Sequence, residues 1–475
     1  MLKKSLVLMG ITAAFYLQAQ DISVIRNSVD VYSNTPMVGS SKFNAMAGSN
    51  GALGGDATSL LTNPAGLGVA IAGDVSVTLS VDNNKNTGSL AGASSNYTIN
   101  KANIGNVGGV ATFQLMTESP WKFINLGASL STQTIENYVE SPGNTNISIA
   151  KDLVDSNGNA VVGNLAYLGH AYNRYGTQTK FNLGVGANYN NSLYLGASIN
   201  MHYVDLEQYD SAKFGLDLDN TAYSFDKQYT PYSEKSNGFS ASVGVIGKIT
   251  NQLRLGASIE SPTWWSLDRI YTDYYTGTDG YIYADNFVED RRFRSPMKAT
   301  LSGAFVPTKN FAINVDYTLG LTKPQYKVQG EAESELNSFF SDSYKNLSEI
   351  KVGAEYRIKS LRLRGGYSYA SSPFDNLTIS AFDNNGNAGD RSYSNLILGD
   401  RNTIGAGVGY DFGKFFIDAA YQNITSEYKN PFISGNESFG TGYYSGDFDV
   451  ATPNSIVSDV KNVRNNFFVT VGWKF

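Results

Sequence analysis

The sequence has 475 residues, a formal net charge of −6 and no cysteine. Charged residues make up only 16% of it and aromatic residues 13%, whereas about 25% of a typical soluble chain is charged. These values disfavour an ordinary soluble domain, and the acidic balance argues against nucleic acid as a partner, because nucleic-acid binders concentrate basic residues. Without disulfides, stability has to come from core packing or from a closed backbone ladder.

The first twenty residues have the pattern of a secretory signal. Two lysines precede an apolar run that ends at Leu17, and a small residue follows shortly before Asp21. This order predicts a signal peptide over residues 1–20, cleaved between Gln20 and Asp21. The apolar run is too short to span a bilayer as a helix. Its removal takes away two lysines and no acid, which moves the net charge from −6 to −8.

The segment from 21 to 72 lacks any strand-like alternation. Its part from Met46 to Val69 reads MAGSNGALGGDATSLLTNPAGLGV and contains six glycines and an Asn-Pro step. Apolar residues such as Leu53 recur too often for a solvated tail, and glycines allow a backbone to lie close to a neighbouring surface. The segment is therefore predicted to form a compact plug; the alternative is a disordered leader.

From about residue 73 onward, apolar and polar residues alternate with period two, as in strands whose two faces meet different surroundings. In the segment 193–203, Leu195 and Ile199 share one face while Asn200 and His202 share the other. Fourteen such segments are predicted, near 74–82, 104–117, 122–136, 174–189, 193–208, 238–248, 252–260, 292–306, 311–320, 348–358, 361–372, 401–411, 415–424 and 462–475.

The connections between these segments alternate between long and short, which places all the long ones at one end. This asymmetry is typical of a transmembrane β-barrel of the outer membrane. A sheet in lipid must close on itself, because lipid cannot satisfy the backbone groups of an open edge. The predicted fold is therefore all-β, an antiparallel barrel of about fourteen strands over residues 73–475. A soluble secreted β-sandwich is the alternative, but nothing in a sandwich would sort its connections by length.

The last predicted strand alternates apolar residues up to the final position. Trp473 and Phe475 share its apolar face, and Phe475 ends the chain. This pattern resembles the C-terminal signal by which the barrel-assembly machinery inserts outer-membrane proteins. The alternative is an ordinary terminal strand.

A plug-like segment ahead of a fourteen-strand barrel resembles the N-terminal hatch of the FadL/TodX family of outer-membrane channels. The motif that carries the resemblance is Asn63-Pro64-Ala65, which matches the family's NPA motif, together with the preceding glycine-rich run through Gly54 and Gly55. The resemblance implies that this motif is the movable element of the hatch or its hinge.

The same resemblance extends over the whole chain after the signal. It implies a signal peptide at 1–20, a hatch at 21–72 inside the lumen and a barrel at 73–475. It also implies the uptake of long-chain fatty acids, hydrocarbons or other hydrophobic compounds, by capture at external loops and release through a rearranged hatch or a gap in the wall.

Several arginines fall on the predicted lumen face. Arg254, Arg362 and Arg364 are candidates for binding a ligand carboxylate, because a guanidinium group offers two parallel donors to it. The more ordinary alternative is that these arginines pair with Glu260, Glu355 and the hatch, since barrel lumens are polar.

A tryptophan pair begins the long connection predicted at 261–291. Trp264, Trp265 and Leu267 would form an apolar cluster at the barrel mouth where a hydrophobic ligand first binds, and the resemblance implies a capture groove in this region. The equally open alternative is a belt of aromatic residues at the membrane interface. A second candidate cluster lies in the connection at 321–347 and consists of Leu336, Phe339 and Phe340.

Catalysis is not expected. The only histidines are His170 and His202, and Ser198 lies four residues from His202 on the same strand face. At about 3.3 Å per residue that separation is too large for a direct hydrogen bond. The sequence also has no phosphate-binding loop and no zinc motif, so no catalytic residue, metal ligand or cofactor is assigned.

These features predict a passive channel for hydrophobic small molecules in the outer membrane of a Gram-negative bacterium. Its expected partners are the ligand, outer-membrane lipid and the barrel-assembly machinery, and the protein is expected to be a monomer. Two alternatives stay open. One is an accessory barrel subunit of a secretion or assembly complex. The other is a surface receptor or adhesin, including one for haem, which only His170, in a predicted external loop, favours.

Overall fold

The computed structural model describes residues 19–475 except 35, 117, 155–157, 219–220, 229–231, 277–278 and 433–451. Most of the predicted signal peptide lies outside the described residues. No helix in the described part of the chain is long and apolar enough to cross a membrane. The described helices are α1 (Ala19–Asp30), α2 (Ser41–Ala45) and α3 (Glu331–Ser343), and two 3₁₀ turns cover Ala57–Leu61 and Pro64–Val69.

Strands make up most of the described chain. In chain order they are β1 (Asp74–Leu90), β2 (Ala93–Gln114), β3 (Trp121–Val154), β4 (Ala160–Tyr189), β5 (Leu193–Leu218), β6 (Thr221–Gln228), β7 (Tyr232–Lys248), β8 (Leu253–Glu260), β9 (Trp264–Thr276), β10 (Ile282–Arg294), β11 (Lys298–Thr308), β12 (Phe311–Gly320), β13 (Gln325–Tyr326), β14 (Ser348–Ile358), β15 (Leu361–Ala370), β16 (Leu377–Phe382), β17 (Ala388–Tyr393), β18 (Arg401–Asp411), β19 (Phe415–Phe432) and β20 (Ile456–Lys474).

The main sheet closes into a barrel. Its first strand, β1, pairs antiparallel with its last, β20, from Asp74 opposite Lys474 to Ser89 opposite Asp459. Three positions in the wall are each filled by two pieces, namely β8 with β9, β10 with β11, and β12 with β13. In the described residues the wall therefore has fourteen antiparallel strands, which confirms the predicted fold class. Strand β6 pairs with β5 outside this ring, and β16 and β17 form a separate hairpin.

One end of the barrel, called here the outer end, carries strands much longer than predicted. The interval 137–173, predicted as a loop, is mostly strand, because β3 continues to Val154 and pairs there with β4 from Ala160 onward. The prediction was wrong because it followed the apolar face. Beyond the apolar band the backbones go on pairing, although their outward side chains are no longer apolar. The opposite end, where short turns join the strands, is called the inner end.

The barrel is inside-out compared with a soluble protein. Its inward side chains are polar and buried, among them Thr78, Asn106, Asn200, Asn314 and Thr470. Its outward side chains are apolar and exposed around the whole wall, including Leu79, Leu126, Leu183, Leu195, Val243, Leu255, Leu301, Val315, Ile350, Leu363, Ile404, Ile417 and Val469. Such a surface is stable only against lipid.

The N-terminal segment fills the lumen. Helix α1 packs near the outer end in one apolar cluster with helix α3 and the β16–β17 hairpin, and we call this assembly the cap. The cluster includes Ile25 of α1 and the predicted candidates Leu336, Phe339 and Phe340, all buried. Residues 39–73 lie against the inner end of the wall; the name hatch, introduced above for the predicted segment 21–72, is used from here on for residues 39–73 alone. Segments of the chain therefore occupy the lumen at both levels.

Candidate ligand chamber in the barrel lumen

The Asn-Pro-Ala motif of the hatch is fastened to the inner face of the wall. Asn63 is 1% exposed, and its Nδ2 donates to the carbonyls of Gly51 (2.9 Å) and Val245 (3.2 Å). Its Oδ1 accepts from the amide of Ala65 (3.1 Å) and so caps the 3₁₀ turn that Pro64 begins. Proline suits that first position because it has no N–H to satisfy. A single side chain therefore joins two parts of the hatch to β7.

The predicted glycine pair of the hatch lies where the hatch folds back on itself. Gly54 and Gly55 have φ values of +63° and +96°. The amide of Gly55 donates to the carbonyl of Gly66 at 2.9 Å, and a Cβ on Gly54 would stand 2.5 Å from the Cα of Gly66. A larger residue would meet both backbone strain and a clash at position 54, and backbone strain alone at position 55.

An ion pair connects α2 to the first 3₁₀ turn of the hatch. The Nζ of Lys42 lies 2.8 Å from Oδ2 of Asp56, whose other oxygen accepts from the Thr58 amide at 3.0 Å. Burial alone would raise the pKa of the Asp56 carboxyl, but the Lys42 ammonium and the Thr58 hydrogen bonds hold it below its ordinary value. Asp56 is therefore ionised at neutral pH.

The wall is shaped to receive the hatch. A Cβ on Gly244 of β7 would stand 1.9 Å from Oδ1 of Asn63, and one on Gly366 of β15 would stand 2.3 Å from the carbonyl carbon of Met46. Real Cβ contacts at such distances do not occur, so a larger residue at either position must displace the hatch. The sequence placed the close-approach glycines in the hatch, whereas the wall supplies these two.

Three neighbouring wall strands are interrupted at one level by prolines. Pro262 separates β8 from β9, Pro296 separates β10 from β11, and Pro324 precedes β13. Because proline cannot donate to a ladder, nearby hydroxyl groups take part instead, and the amide of Thr263 donates to Oγ of Ser295 at 2.9 Å. We call this level the strand break; it comprises residues 261–263, 295–297 and 321–324.

A cavity lies in the lumen between the hatch and helix α1. It has a volume of about 200 Å³, and a smaller cavity of about 60 Å³ adjoins it. The two share Asn34, Arg401 and Arg464 among their lining residues, and together we call them the ligand chamber. The N-terminal segment contributes a group of apolar side chains to its lining, and most of the side chains that the barrel contributes are polar or charged. The apolar contribution comes from Val31, Met37, Val38, Phe43 and Leu61.

Basic side chains outnumber acidic ones in the ligand chamber. Seven basic and five acidic residues line it, and some of them neutralise one another. The pairs are Lys180 with Glu260 (2.8 Å), Lys351 with Glu349 (3.0 Å) and Lys101 with Glu136 (3.3 Å).

Three chamber cations have no carboxylate within ion-pair distance in the part of the chain that the structure describes, although Glu260 and Glu349 lie near Lys298, and Asp30 and Asp82 lie near Arg464. Arg26, Lys298 and Arg464 form no ion pair with any residue that the structure describes. They donate instead to neutral oxygens. Arg26 donates to Asn430 Oδ1 (2.5 Å), Lys298 to the Ser33 carbonyl (2.5 Å) and Arg464 to Asn462 Oδ1 (3.2 Å). Buried cations are costly unless they are paired. The ligand chamber is therefore suited to an anion such as a carboxylate.

Two of the arginines predicted from the sequence are already neutralised. Arg364 is buried between Glu355 (2.7 Å) and Asp418 (2.9 Å), and Arg362 pairs with Asp411 near the inner end. Neither is among the residues that line the ligand chamber. The ion pairs of these two arginines agree with the alternative interpretation given above, in which lumen arginines pair with acidic residues of the lumen and not with a ligand.

The third predicted arginine contacts the hatch. The Nη1 of Arg254 donates to the carbonyl of Leu53 at 3.3 Å. Sequence reasoning missed two chamber cations. Arg464 was missed because alternation along a strand gives the face of a residue but not its height or its neighbours, and Arg26 was missed because it lies on helix α1, outside the strand pattern.

The predicted tryptophan cluster is divided between the two sides of the wall. Trp264, Trp265 and Leu267 belong to β9, so placing them in a loop was wrong. Trp264 points outward and is 50% exposed, as in an aromatic belt, whereas Trp265 and Leu267 point inward and are 3% and 2% exposed. Trp265 lines the ligand chamber and packs edge-on against Tyr32 of the N-terminal segment at 4.9 Å.

His170 is not in an external loop. It lies on β4, is buried, and stacks on Phe432 with ring centroids 3.7 Å apart. Its Nδ1 is 2.6 Å from the Tyr167 hydroxyl and its Nε2 is 3.2 Å from Asn430 Nδ2. Both ring nitrogens are engaged, so the one residue that favoured a haem receptor does not offer a free ligand.

His202 lines the ligand chamber but does not belong to a catalytic triad. Its Nε2 lies 3.0 Å from Oγ of Ser240, which also donates to Glu260 at 3.4 Å. In a triad the carboxylate would orient the histidine, whereas here it contacts the serine. Ser240 is fully buried and is not among the chamber-lining residues.

The closed barrel described above is similar in fold to solved outer-membrane barrels. The toluene transporter TodX of Pseudomonas putida matches with a TM-score of 0.53 at 13% identity, covering 94% of this chain and 99% of that one. A FadL homologue of Pseudomonas aeruginosa matches with a TM-score of 0.55 at 11% identity, covering 92% and 98%.

At these identities the likeness establishes the fold, and it confirms the resemblance predicted from the sequence at that level. No family model matches the chain. No curated protein matches it either.

Proposed function

We propose that the protein is an outer-membrane channel for the passive uptake of hydrophobic small molecules with an anionic head, such as long-chain fatty acids. The ligand chamber carries this proposal, because it combines apolar side chains of the N-terminal segment with basic groups that form no ion pair in the described residues. An uncharged hydrocarbon would contact these apolar side chains and leave Arg26, Lys298 and Arg464 as they are. A carboxylate would also accept charge-assisted hydrogen bonds from them.

The rest of the molecule supports this location and role. Its outward apolar band suits a Gram-negative outer membrane, entered after cleavage between Gln20 and Asp21. Insertion would use the C-terminal strand, whose Trp473 and Phe475 are 53% and 75% exposed beside the inner end. The protein acts as a monomer without cofactor or catalytic residue in this proposal.

Passage requires something to move, since the cap and the hatch occupy the lumen. The Asn63-Pro64-Ala65 motif is the proposed hinge for release toward the inner end. The strand break offers a sideways path, because Ser261, Thr263 and Ser295 line the ligand chamber at that level. A Pro64→Ala variant should insert normally and change the rate of uptake; unchanged uptake would contradict the hinge.

Uptake of hexadecanoic acid and of hexadecane into proteoliposomes tests the proposed function. Arg464→Gln should weaken binding of the acid by about 10- to 100-fold, because a hydrogen bond to a charged group contributes about 1.5–3 kcal/mol. Binding of the hydrocarbon should be unaffected by this substitution. Arg357→Gln is the matched control, since this arginine is 41% exposed and pairs with Glu355 away from the chamber.

Equal effects of Arg464→Gln and Arg357→Gln on binding of the acid would contradict the assignment of the ligand chamber as the binding site. Denaturing mass spectrometry of the purified protein gives an independent check for bound fatty acid. A preparation that lacks any lipophile and retains a stable partner protein would favour the accessory-subunit alternative.

A further inference from the structure

A groove lies on the outer surface of the barrel wall, just beyond the strand break toward the outer end. It encloses about 830 Å³. The rings of Phe239 and Trp264 form its floor, stacked with centroids 6.5 Å apart and planes 18° apart. Phe239, Trp264 and the adjoining Val328 are 43%, 50% and 57% exposed, so the described chain leaves this floor open. We call it the outer groove.

The outer groove lies at the upper limit of the apolar band. Toward the inner end, the outward residues of β8 and β11 are all apolar: Leu253, Leu255, Ala257, Ile259, Ala299, Leu301, Gly303 and Phe305. Beyond Trp264 the next outward positions of β9 are Ser266 and Asp268. From Leu253 to Trp264 a tilted strand rises about 28 Å, at about 3.3 Å per residue and a tilt of about 40°. That rise is close to the height of about 25 Å of a lipid-facing band, so the groove stands where acyl chains meet headgroups.

Three exposed cations surround the aromatic floor. Arg292 and Arg294 point outward from β10, and Lys327 follows β13 beside them, with its amide donating to the carbonyl of Arg292 at 2.8 Å. None of the three forms an ion pair with a residue that the structure describes. The Nη2 of Arg294 donates to Oε1 of Gln325 at 2.5 Å.

Acidic side chains lie further out. Asp268 and Asp290 are opposite each other in the β9–β10 ladder, two residues beyond the row of Arg292. The order along the wall is therefore apolar band, then cations, then acids. A lipid with a negatively charged headgroup would place that headgroup beside the cations and its acyl chain along the apolar band.

We propose that the outer groove binds a phosphorylated lipid of the outer leaflet. One acyl chain lies on Phe239, Trp264 and Val328, and phosphate oxygens accept hydrogen bonds from the guanidinium groups of Arg292 and Arg294 and from the ammonium group of Lys327. Arginine matches phosphate with two parallel donors. A neutral lipid would fill the floor and leave the three cations to water. Trp265 lines both this groove and the ligand chamber, but the proposed lipid binding does not rest on the proposed uptake.

Native mass spectrometry of the detergent-solubilised protein tests the site. The probes are a doubly phosphorylated, acylated disaccharide lipid and the same lipid without its phosphates. The wild type should bind the phosphorylated lipid preferentially. Each basic residue at a membrane surface contributes about fivefold in affinity, so Arg292→Gln with Arg294→Gln should weaken binding about 25-fold. The paired change to lysine keeps the charge and should lose less.

The control variant carries Lys85→Gln and Lys213→Gln, which remove the same charge from exposed positions on β1 and β5 and should bind like the wild type. Heat-modifiable mobility in detergent gels confirms that each variant is folded. Equal binding of the two probes, or equal binding by the arginine double variant and the control, would overturn the proposal. So would a wild-type dimer that the arginine changes convert to a monomer, because the groove would then be an interface between copies.

Discussion

Replacing Gly244 with alanine separates the hatch from the wall at one defined point. The new Cβ would stand 1.9 Å from Oδ1 of Asn63, so the amide group must move by about 1.5 Å to reach ordinary contact. Asn63 cannot make this move and keep its bonds to Gly51, Val245 and Ala65. At about 0.5–1.5 kcal/mol for each of the three hydrogen bonds, the closed position loses about 1.5–4.5 kcal/mol, with a midpoint of about 3 kcal/mol. The detached state of the segment 57–69 should become about 100-fold more populated.

Hydrogen exchange measured by mass spectrometry reports this population directly, since a buried amide exchanges only when its segment opens. Peptides covering 57–69 should exchange much faster in Gly244→Ala than in the wild type. Gly247→Ala is the matched control, because it lies on the same strand and its Cβ would meet only Cδ1 of Ile249, at 3.7 Å. Exchange in Gly244→Ala that stays within tenfold of the control would refute the reasoning.

Three further predictions follow from other contacts. Gly366→Ala should accelerate exchange in residues 41–47 of the hatch, while Gly365→Ala, whose Cβ would have its nearest contact at 3.9 Å, should not. Trp265→Ala should lower the free energy of unfolding by about 3–5 kcal/mol in a urea titration; Trp264→Ala, on the lipid side, should change it by about 0.5 kcal/mol. Because the folded pKa of Asp56 is lowered, its contribution is complete above the unfolded value of about 3.9 and is lost as pH falls through the folded value. Hatch exchange, corrected for intrinsic rates, should therefore rise below about pH 4 in the wild type, and Asp56→Asn should lack that step.

The barrel could be predicted because lipid imposes a local rule on every strand. An outward residue must be apolar and its neighbour faces a polar lumen, so pairs such as Leu253 and Leu255 recur at period two in each of the fourteen segments. The rule ends with the membrane. Beyond it, β3 continues to Val154, and Val139, Ile147 and Ile149 are buried in apolar clusters, so the outward apolar pattern no longer marks the strand. The extent of the strands beyond the apolar band was therefore not predictable.

The candidate site was less accessible to sequence reasoning. The alternation of inward and outward residues along a strand correctly placed Arg364 in the lumen. Its partners Glu355 and Asp418 come from other strands, however, and pairing with them depends on the register between strands. Arg464 has the same chemistry and lies beside a cavity, because the N-terminal segment leaves space there. Whether an arginine is neutralised or available is a property of its neighbours and not of its own strand.

The sequence by itself determined the closed barrel, its fourteen strands and the unusual segment around Asn63-Pro64-Ala65, because alternation and glycine content are local properties. Only the tertiary structure decided how that segment is held, which cations face the ligand chamber and how Trp264 and Trp265 divide between membrane and lumen. These features depend on contacts between residues far apart in the chain. The fit of Asn63 against Gly244 joins positions 181 residues apart, and no local pattern records such a contact.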